Sequence, residues 1–380
     1  MKRYVFMFLL ARAVFFNASF INCQNSIVNF VERTDGTDNG LERLLSGMKN
    51  INFYKTSKED GLIEANDVVL IKINSQWDQR GGTNTDVLKS LIEYVLRHPQ
   101  GFTGEIIVAD NGQAMFGSEG KGGRLDWPEP NSKNRSQTAQ MVIDEFAARG
   151  HKVSGILWDS FTKKRVAEFS SGDNNDGYVV EPGIKPTAII ISYPKWTTAY
   201  GTKISFKFGI WNNETGSYNN NKLKLINLPV LKSHSQYHVT GAVKAYMGVA
   251  SNALTDMSPH KSVALGGMGT LMAATRFPTL NILDITYITP QRGPASPYNT
   301  AVQKNMLAAS ADPFALDYWA AKNVLYPAAE AAGDPRLKYK NPESKEPGSF
   351  GVWLEKSRDE AKKAGLPVVE NFNSITVNKL

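Results

Sequence analysis

Short apolar runs alternate with amphipathic helical patterns along most of this sequence. Residues 68–73 form an apolar, β-branched run interrupted only by Lys72, and residues 86–97 follow with apolar side chains at helical spacing. Strands that alternate with helices of ten or more residues predict an α/β fold with a mainly parallel sheet and helices on both faces. Further strands are predicted at residues 105–109, 152–158, 187–192, 223–228, 280–285 and 306–309, and further helices at 137–149 and 352–363.

The middle of the chain departs from this alternation. Residues 173–178 and 211–221 are rich in Asn, Gly, Asp and Ser, which indicates turns around short antiparallel strands. We therefore predict a partly antiparallel insertion at about residues 159–221. It would belong to a single α/β domain at residues 24–380, whose motif-bearing core is residues 68–325.

Two of the predicted helices have candidate N-caps. Thr85 precedes the first, and Asp312 stands directly before Pro313, a pairing typical of an N-cap followed by a first-turn proline. Asp317 comes one helical turn later and is expected to be exposed.

The N-terminus has the features of a secretory signal peptide. Lys2 and Arg3 precede an apolar stretch at residues 4–16, and small residues follow it. The stretch is shorter than the roughly 20 apolar residues that a membrane-spanning helix needs. We expect residues 1–23 to be a signal peptide and the chain to be periplasmic or extracellular. A disordered N-terminal extension is the alternative.

The cysteine content and the charge restrict the partners. Cys23 is the only cysteine, so an intrachain disulfide and a thiolate-held iron–sulfur cluster are not expected. Its place after the apolar stretch leaves open a lipoprotein attached to the membrane through Cys23. Residues 1–23 contain three basic residues and no acidic one, so without them the net charge falls from +7 to +4. Such a small excess predicts no nucleic-acid partner.

Polar and titratable residues concentrate after the predicted strand at 223–228. In α/β sheets ligands bind beyond the carboxyl ends of the strands, where this segment would lie. A short helix expected after Thr240 would also offer free N–H groups to an anion. Asp110 and Asp284 are each predicted to end an apolar strand, a place for a catalytic carboxylate or for a turn. The members of the concentrated segment are Lys232, His234, His238, Thr240 and Lys244.

These segments resemble the family known as "domain of unknown function 362". The resemblance rests on residues 227–244, where an Asn-Leu-Pro strand runs into Lys-x-His and then a Thr-Gly-x-x-Lys helix. The family has no settled activity, and some of its members carry ferredoxin-like cysteine clusters that this chain lacks. The resemblance therefore implies little about function, and the missing cysteines argue against an electron-transfer role. Further matching segments are residues 72–74, 110–112, 284 with 293–294, and 311–317.

Two functional hypotheses follow from these residues. In the first, the protein is an enzyme acting on a small anionic molecule, with His234 as the general acid–base or, together with a catalytic carboxylate such as Asp110 or Asp284, as a metal ligand. In the second, it is a non-catalytic protein of the cell envelope that binds a ligand or a partner in the same cleft. The residues expected to contact the ligand are Lys72, Asn74, Lys232, Thr240, Lys244 and Arg292.

The sequence alone does not determine the cofactor. His234 and His238 are four residues apart, a spacing that places two imidazoles together when they lie on a helix. A divalent metal held by these two histidines, with His260 as a third candidate ligand, is one reading. A polar loop held by hydrogen bonds is the other. The sequence does not indicate the oligomeric state.

Overall fold

A computed structural model of the chain describes residues 26–49, 51–291, 293 and 299–380. The predicted signal peptide, Cys23 and Arg292 lie outside the described residues. Within them, no helix is long and apolar enough to cross a membrane.

The described residues contain two sheets. A ten-stranded sheet has the strand order β15-β1-β14-β13-β10-β2-β3-β4, with β11 paired to β13 and β12 paired to β11. A five-stranded sheet has the order β5-β6-β7-β8-β9. The strands in chain order are β1 (Ile27–Glu32), β2 (Val68–Lys72), β3 (Glu105–Asp110), β4 (Val153–Leu157), β5 (Gly177–Val180), β6 (Ser192–Thr197), β7 (Lys203–Ser205), β8 (Gly209–Asn212), β9 (Ser217–Asn219), β10 (Leu223–Asn227), β11 (Val230–His234), β12 (His238–Thr240), β13 (Leu280–Thr289), β14 (Val302–Ser310) and β15 (Thr376–Lys379).

The large sheet is mostly parallel. Neighbouring strands run parallel from β13 through β10, β2 and β3 to β4, whereas β14 is antiparallel to both β1 and β13. The carboxyl ends of β2, β3 and β10 therefore meet at one edge. Asn227, the last residue of β10, pairs with Lys72, and Lys72 pairs with Ala109 of β3. Polar residues that follow these strands are brought to this edge.

Helices cover both faces of the large sheet, which confirms the predicted α/β class. Residues alternate between the faces along a strand, and in β2 the side chain of Leu70 packs in one apolar cluster while Ile71 packs in the other. The α-helices are α1 (Gly40–Gly47), α2 (Thr85–Leu96), α3 (Ala139–Ala148), α4 (Ala242–Ala245), α5 (Ser258–Lys261), α6 (Gly267–Ala274), α7 (Pro313–Ala320), α8 (Tyr326–Ala331), α9 (Leu337–Lys340) and α10 (Phe350–Lys363).

The N-caps follow the sequence closely. Asp312 caps α7 by accepting hydrogen bonds from the N–H groups of Phe314 and Ala315, as predicted. The cap of α2 is Asn84, one residue before the predicted Thr85, because its side chain accepts from the first turn. Both caps satisfy N–H groups that a helix cannot satisfy internally.

The five-stranded antiparallel sheet lies within the predicted insertion. One strand prediction there was wrong, since residues 187–191 form no strand and β6 begins only at Ser192. Ala188 has a φ of +61°, which no continuous strand tolerates. The isoleucine run is nevertheless buried, with Ile189 and Ile191 in the apolar core. Burial was read correctly from this run, but backbone conformation was not.

Candidate functional site

A cavity of about 550 Å³ opens at the carboxyl edge of the large sheet, beside the β11–β12 hairpin. Its position agrees with the expectation that ligands of an α/β sheet bind beyond the strand ends. The structure thus brings most of the candidate residues into one place. Those that line the cavity are Asn74, Asp110, Lys232, His234, Thr240 and Lys244.

Lys72 and Asp110 form a buried ion pair beside this cavity. The Lys72 Nζ lies 2.8 Å from Asp110 Oδ1, and both side chains are almost fully buried. Ser75 donates to the other oxygen, Oδ2, from its backbone N–H at 2.8 Å and from its hydroxyl at 3.0 Å. Gly248 packs directly against the pair, because a Cβ there would lie 2.9 Å from Lys72 Nζ. Three donors occupy three of the roughly four lone-pair sites of the Asp110 carboxylate, so its main role is to hold Lys72 in place.

Lys232 and Lys244 bring two more cations into the same place. Lys232 donates a hydrogen bond to the carbonyl of Gly81, and burial together with repulsion from Lys244 lowers its pKa to about 7. Lys244 is only 8% exposed, and burial and Lys72 lower its pKa to about 8. Its Nζ lies 5.6 Å from the centre of the Tyr237 ring, and among the described residues no hydrogen bond or ion pair of this Nζ is found. One carboxylate therefore faces three lysines here.

The His234 ring is held in one tautomer by the turn of the hairpin. Its Nδ1 accepts hydrogen bonds from the backbone N–H groups of Gln236 and Tyr237, each at 3.1 Å. A neutral imidazole with Nδ1 as acceptor carries its proton on Nε2. Burial, and then the charge of Lys244, hold the pKa of His234 well below its usual value, so the ring stays neutral. His234 therefore offers the cavity an Nε2–H donor.

The donor chemistry of these histidines does not fit a metal ion. A neutral histidine that ligates through Nε2 needs its proton on Nδ1, and the Nδ1 of His234 is an acceptor. His238 lies outside the cavity, where its ring stacks on Tyr339 at 5.0 Å. In the part of the chain that the structure describes, no three His, Cys, Asp or Glu side chains group suitably for a metal. The suggested pairing of His234 and His238 as metal ligands is accordingly not supported by their geometry.

Asp284 does not join the cavity. The strand predicted to end at residue 285 continues to Thr289, so Asp284 lies in its middle. Its carboxylate accepts hydrogen bonds from Asn84, Asn131 and Thr286, and it is completely buried. Asp284 therefore joins the start of α2 to β13 and has no access to a ligand.

The expected anion site at the N-terminus of α4 is already occupied by a side chain. Asp317 of α7 accepts from the N–H groups of Ala242 and Val243, at 2.6 and 2.9 Å. Asp317 is fully buried rather than exposed, and burial raises its pKa to about 7. It anchors the short helix that carries Lys244, which makes it a positioning residue for the cavity.

Several residues of the cavity wall carry no signal in the sequence. Trp77 and Phe116 come from loops without periodicity, and two of the polar ones, Gln76 and Gln113, lie outside the concentrated segment. Gln113 and Met257 adopt φ values of +74° and +59°, which are uncommon outside glycine. Such conformations cost about 1–3 kcal/mol and cluster at functional sites. The missed wall residues include Gln76, Trp77, Gln113, Phe116, Met247, Asn252 and Met257.

A comparison with protein-family models matches the part of the chain that supplies several cavity residues. A family model described as "Domain of unknown function (DUF362)" matches residues 220–322. The predicted resemblance to this family is confirmed. The matched segment contains β10, the β11–β12 hairpin, α4 and α7, and so includes Lys232, His234, Lys244 and Asp317. No curated protein and no solved structure matches the chain.

Proposed function

We propose that the protein is an enzyme that acts on a small anionic molecule bound in the cavity. The observation that carries the proposal is Lys244, a buried cation that reaches the cavity and has no acceptor among the described side chains. Asp110 already balances Lys72, so the charges of Lys232 and Lys244 remain uncompensated. An unpaired buried charge costs several kcal/mol. A bound anion would offset this cost, which is why we infer an anionic ligand.

His234 and Lys232 supply the reactive groups in this proposal. The Nε2–H of His234 would donate a hydrogen bond to a ligand oxygen and stabilise negative charge that develops there. Lys232, with a pKa of about 7, can exchange a proton at neutral pH and would be the general acid–base. This assignment differs from the expectation from sequence, in which His234 exchanged the proton, because the Nδ1 of His234 is engaged by the backbone.

A non-catalytic binding protein is the second candidate, and chemical conversion of the ligand separates the two. The protein would be purified without added anions, and any retained molecule identified by native mass spectrometry. Its mass would then be followed during incubation with wild-type protein and with His234→Asn. We expect conversion by wild type and slower conversion by His234→Asn. A retained anion that stays unchanged with both proteins would overturn the enzymatic part and leave the binding protein.

We also propose that the chain is exported. Lys2 and Arg3 before the apolar residues 4–16 support this proposal, as does the short length of that stretch. Expression of the full chain in a bacterial host, followed by fractionation and intact mass measurement, tests it. A periplasmic product that has lost about 23 residues is expected. A cytoplasmic product of full mass would contradict export, and a lipid-sized mass increase would place lipidation on Cys23.

A further inference from the structure

Part of the cavity wall is apolar and partly aromatic. Trp77 comes from the loop after β2 and Phe116 from the loop after β3, and both line the cavity. Phe116 is 42% exposed and is one of the exposed large apolar side chains of the described residues. Met247, which is buried, adds a third apolar surface. None of the roles proposed so far uses these three side chains.

Hydrogen bonds connect the segments that carry the apolar side chains. The loop after β2 is joined to the loop after β3 by Gln76, whose side chain donates to the carbonyl of Gly112. Gln113 then reaches across and donates to the carbonyl of Met247 at 3.2 Å. Trp77, Phe116 and Met247 all line the same cavity, and these hydrogen bonds fix the segments that carry them relative to one another. The basic groups come from β11 and α4, and Met247 lies three residues after Lys244 in the turn that continues α4.

The loop that bears Phe116 is held in place by hydrogen bonds to Asp159. The carboxylate of Asp159 accepts hydrogen bonds from the N–H groups of Gly112, Ala114 and Gly123. Gln113 and Ala114 are held with φ values of +74° and +48° in the same turn. A backbone conformation that is costly and fully hydrogen-bonded indicates a surface held ready for a ligand.

The size of the cavity also indicates a ligand larger than a simple anion. Its volume of about 550 Å³ lies inside the range of roughly 300–1,000 Å³ that is typical of pockets for drug-sized ligands. A single phosphate or carboxylate group beside Lys244 would leave most of this space and the whole apolar surface uncovered. The ligand must therefore extend beyond its acidic group.

We propose that the ligand is an amphipathic acid: a phosphate or carboxylate held by Lys232 and Lys244, joined to an aromatic or similarly flat apolar group. The apolar group packs against Trp77, Phe116 and Met247. This inference rests on the proposed anion site and adds the chemical class of the ligand. It accounts for an exposed phenylalanine at the mouth, since packing a ring against it removes apolar surface from water.

Two pairs of probes test the inference, each with a matched acidic group. Methyl phosphate is compared with phenyl phosphate, and acetate with phenylacetate, by isothermal titration calorimetry with the full chain. We expect the aromatic member of at least one pair to bind about tenfold more tightly or better, because its ring is buried in the cavity. The pair that shows this gain also tells whether the acidic group is a phosphate or a carboxylate.

Variants assign the gain to this surface. Phe116→Ala should lose most of the preference for the aromatic probe and leave the affinity for methyl phosphate or acetate unchanged. Phe208→Ala, which removes a phenylalanine of similar exposure (39%) outside the cavity, should change neither. Equal affinities within both pairs, or a preference that survives Phe116→Ala, would overturn the inference and leave the anion site standing. If none of the four probes binds, the proposed anion site itself fails.

Discussion

Replacing Lys244 with methionine should stabilise the ligand-free protein, although it removes the group that we expect to bind the ligand. In the folded state burial and Lys72 lower the pKa of Lys244 from 10.5 to about 8. At ~1.4 kcal/mol per pH unit, this difference corresponds to about 3 kcal/mol at pH 7. Methionine matches the lysine side chain as far as its Cε and carries no charge, so that cost disappears. The gain is larger still if Lys232 is relieved of repulsion from Lys244.

The pH dependence separates this effect from simple apolar packing. The folded pKa of Lys244 lies below the unfolded one, so the destabilisation is fully present below pH 8. It fades as the pH rises toward 10.5, because the unfolded chain then also loses the proton. The advantage of Lys244→Met should consequently shrink from about 3 kcal/mol at pH 7 to about 1 kcal/mol at pH 10.

Urea unfolding at pH 7 and pH 10 measures both quantities. The control is Lys163→Met, which removes an exposed lysine outside the cavity and should change the free energy of unfolding by less than about 0.5 kcal/mol. A Lys244→Met protein that is less stable than wild type at pH 7 would refute the reasoning. So would a gain of equal size at the two pH values, since packing alone could produce it.

Three other substitutions test the surroundings. Lys72→Met should change the free energy of unfolding in the opposite direction to Lys244→Met. Urea unfolding should show a loss of about 3–5 kcal/mol, because the Asp110 carboxylate stays buried without its cation. An unchanged free energy of unfolding would contradict the ion pair. Asp317→Ala should lower the free energy of unfolding by about 2 kcal/mol, since two buried N–H groups of α4 lose their acceptor, whereas Asp317→Asn should lower it less. Equal losses for the two would argue against the cap. The free energy of unfolding of His234→Asn should stay within about 1 kcal/mol of wild type, because an amide oxygen can replace Nδ1 as the acceptor. The variant should nevertheless bind anions more weakly in a calorimetric titration. Undiminished binding would show that His234 does not contact the anion.

The sequence was sufficient to predict the edge of the sheet at which the cavity lies. Apolar runs ending in Lys72 and Asp110 identified two parallel strands, and parallel strands end on the same side. The cluster after β10 added Lys232, His234 and Lys244. Local chemistry at strand ends was therefore enough to bring most of the basic groups together, because a parallel sheet sets their relative positions.

Predictions that depended on where an element stops, or on distant contacts, were less successful. Asp284 was assigned to a strand end, but the strand runs on for five more residues to Thr289. Asp317 was expected to be exposed, since nothing near it in sequence shows that it caps a helix some 75 residues away. Trp77 and Phe116 lie on loops whose conformation is set by tertiary hydrogen bonds. No periodicity in the sequence marks such residues.

The central claim is that Lys244 makes the cavity an anion site, and the affinity for a simple anion tests it most directly. Wild type, Lys244→Met and Lys163→Met would each be titrated with methyl phosphate at pH 7 in a calorimeter. A charge-assisted hydrogen bond contributes roughly 1.5–3 kcal/mol, so we predict at least a tenfold loss of affinity in Lys244→Met and no change in Lys163→Met. Equal affinity in all three proteins, or no binding to wild type, would contradict the account.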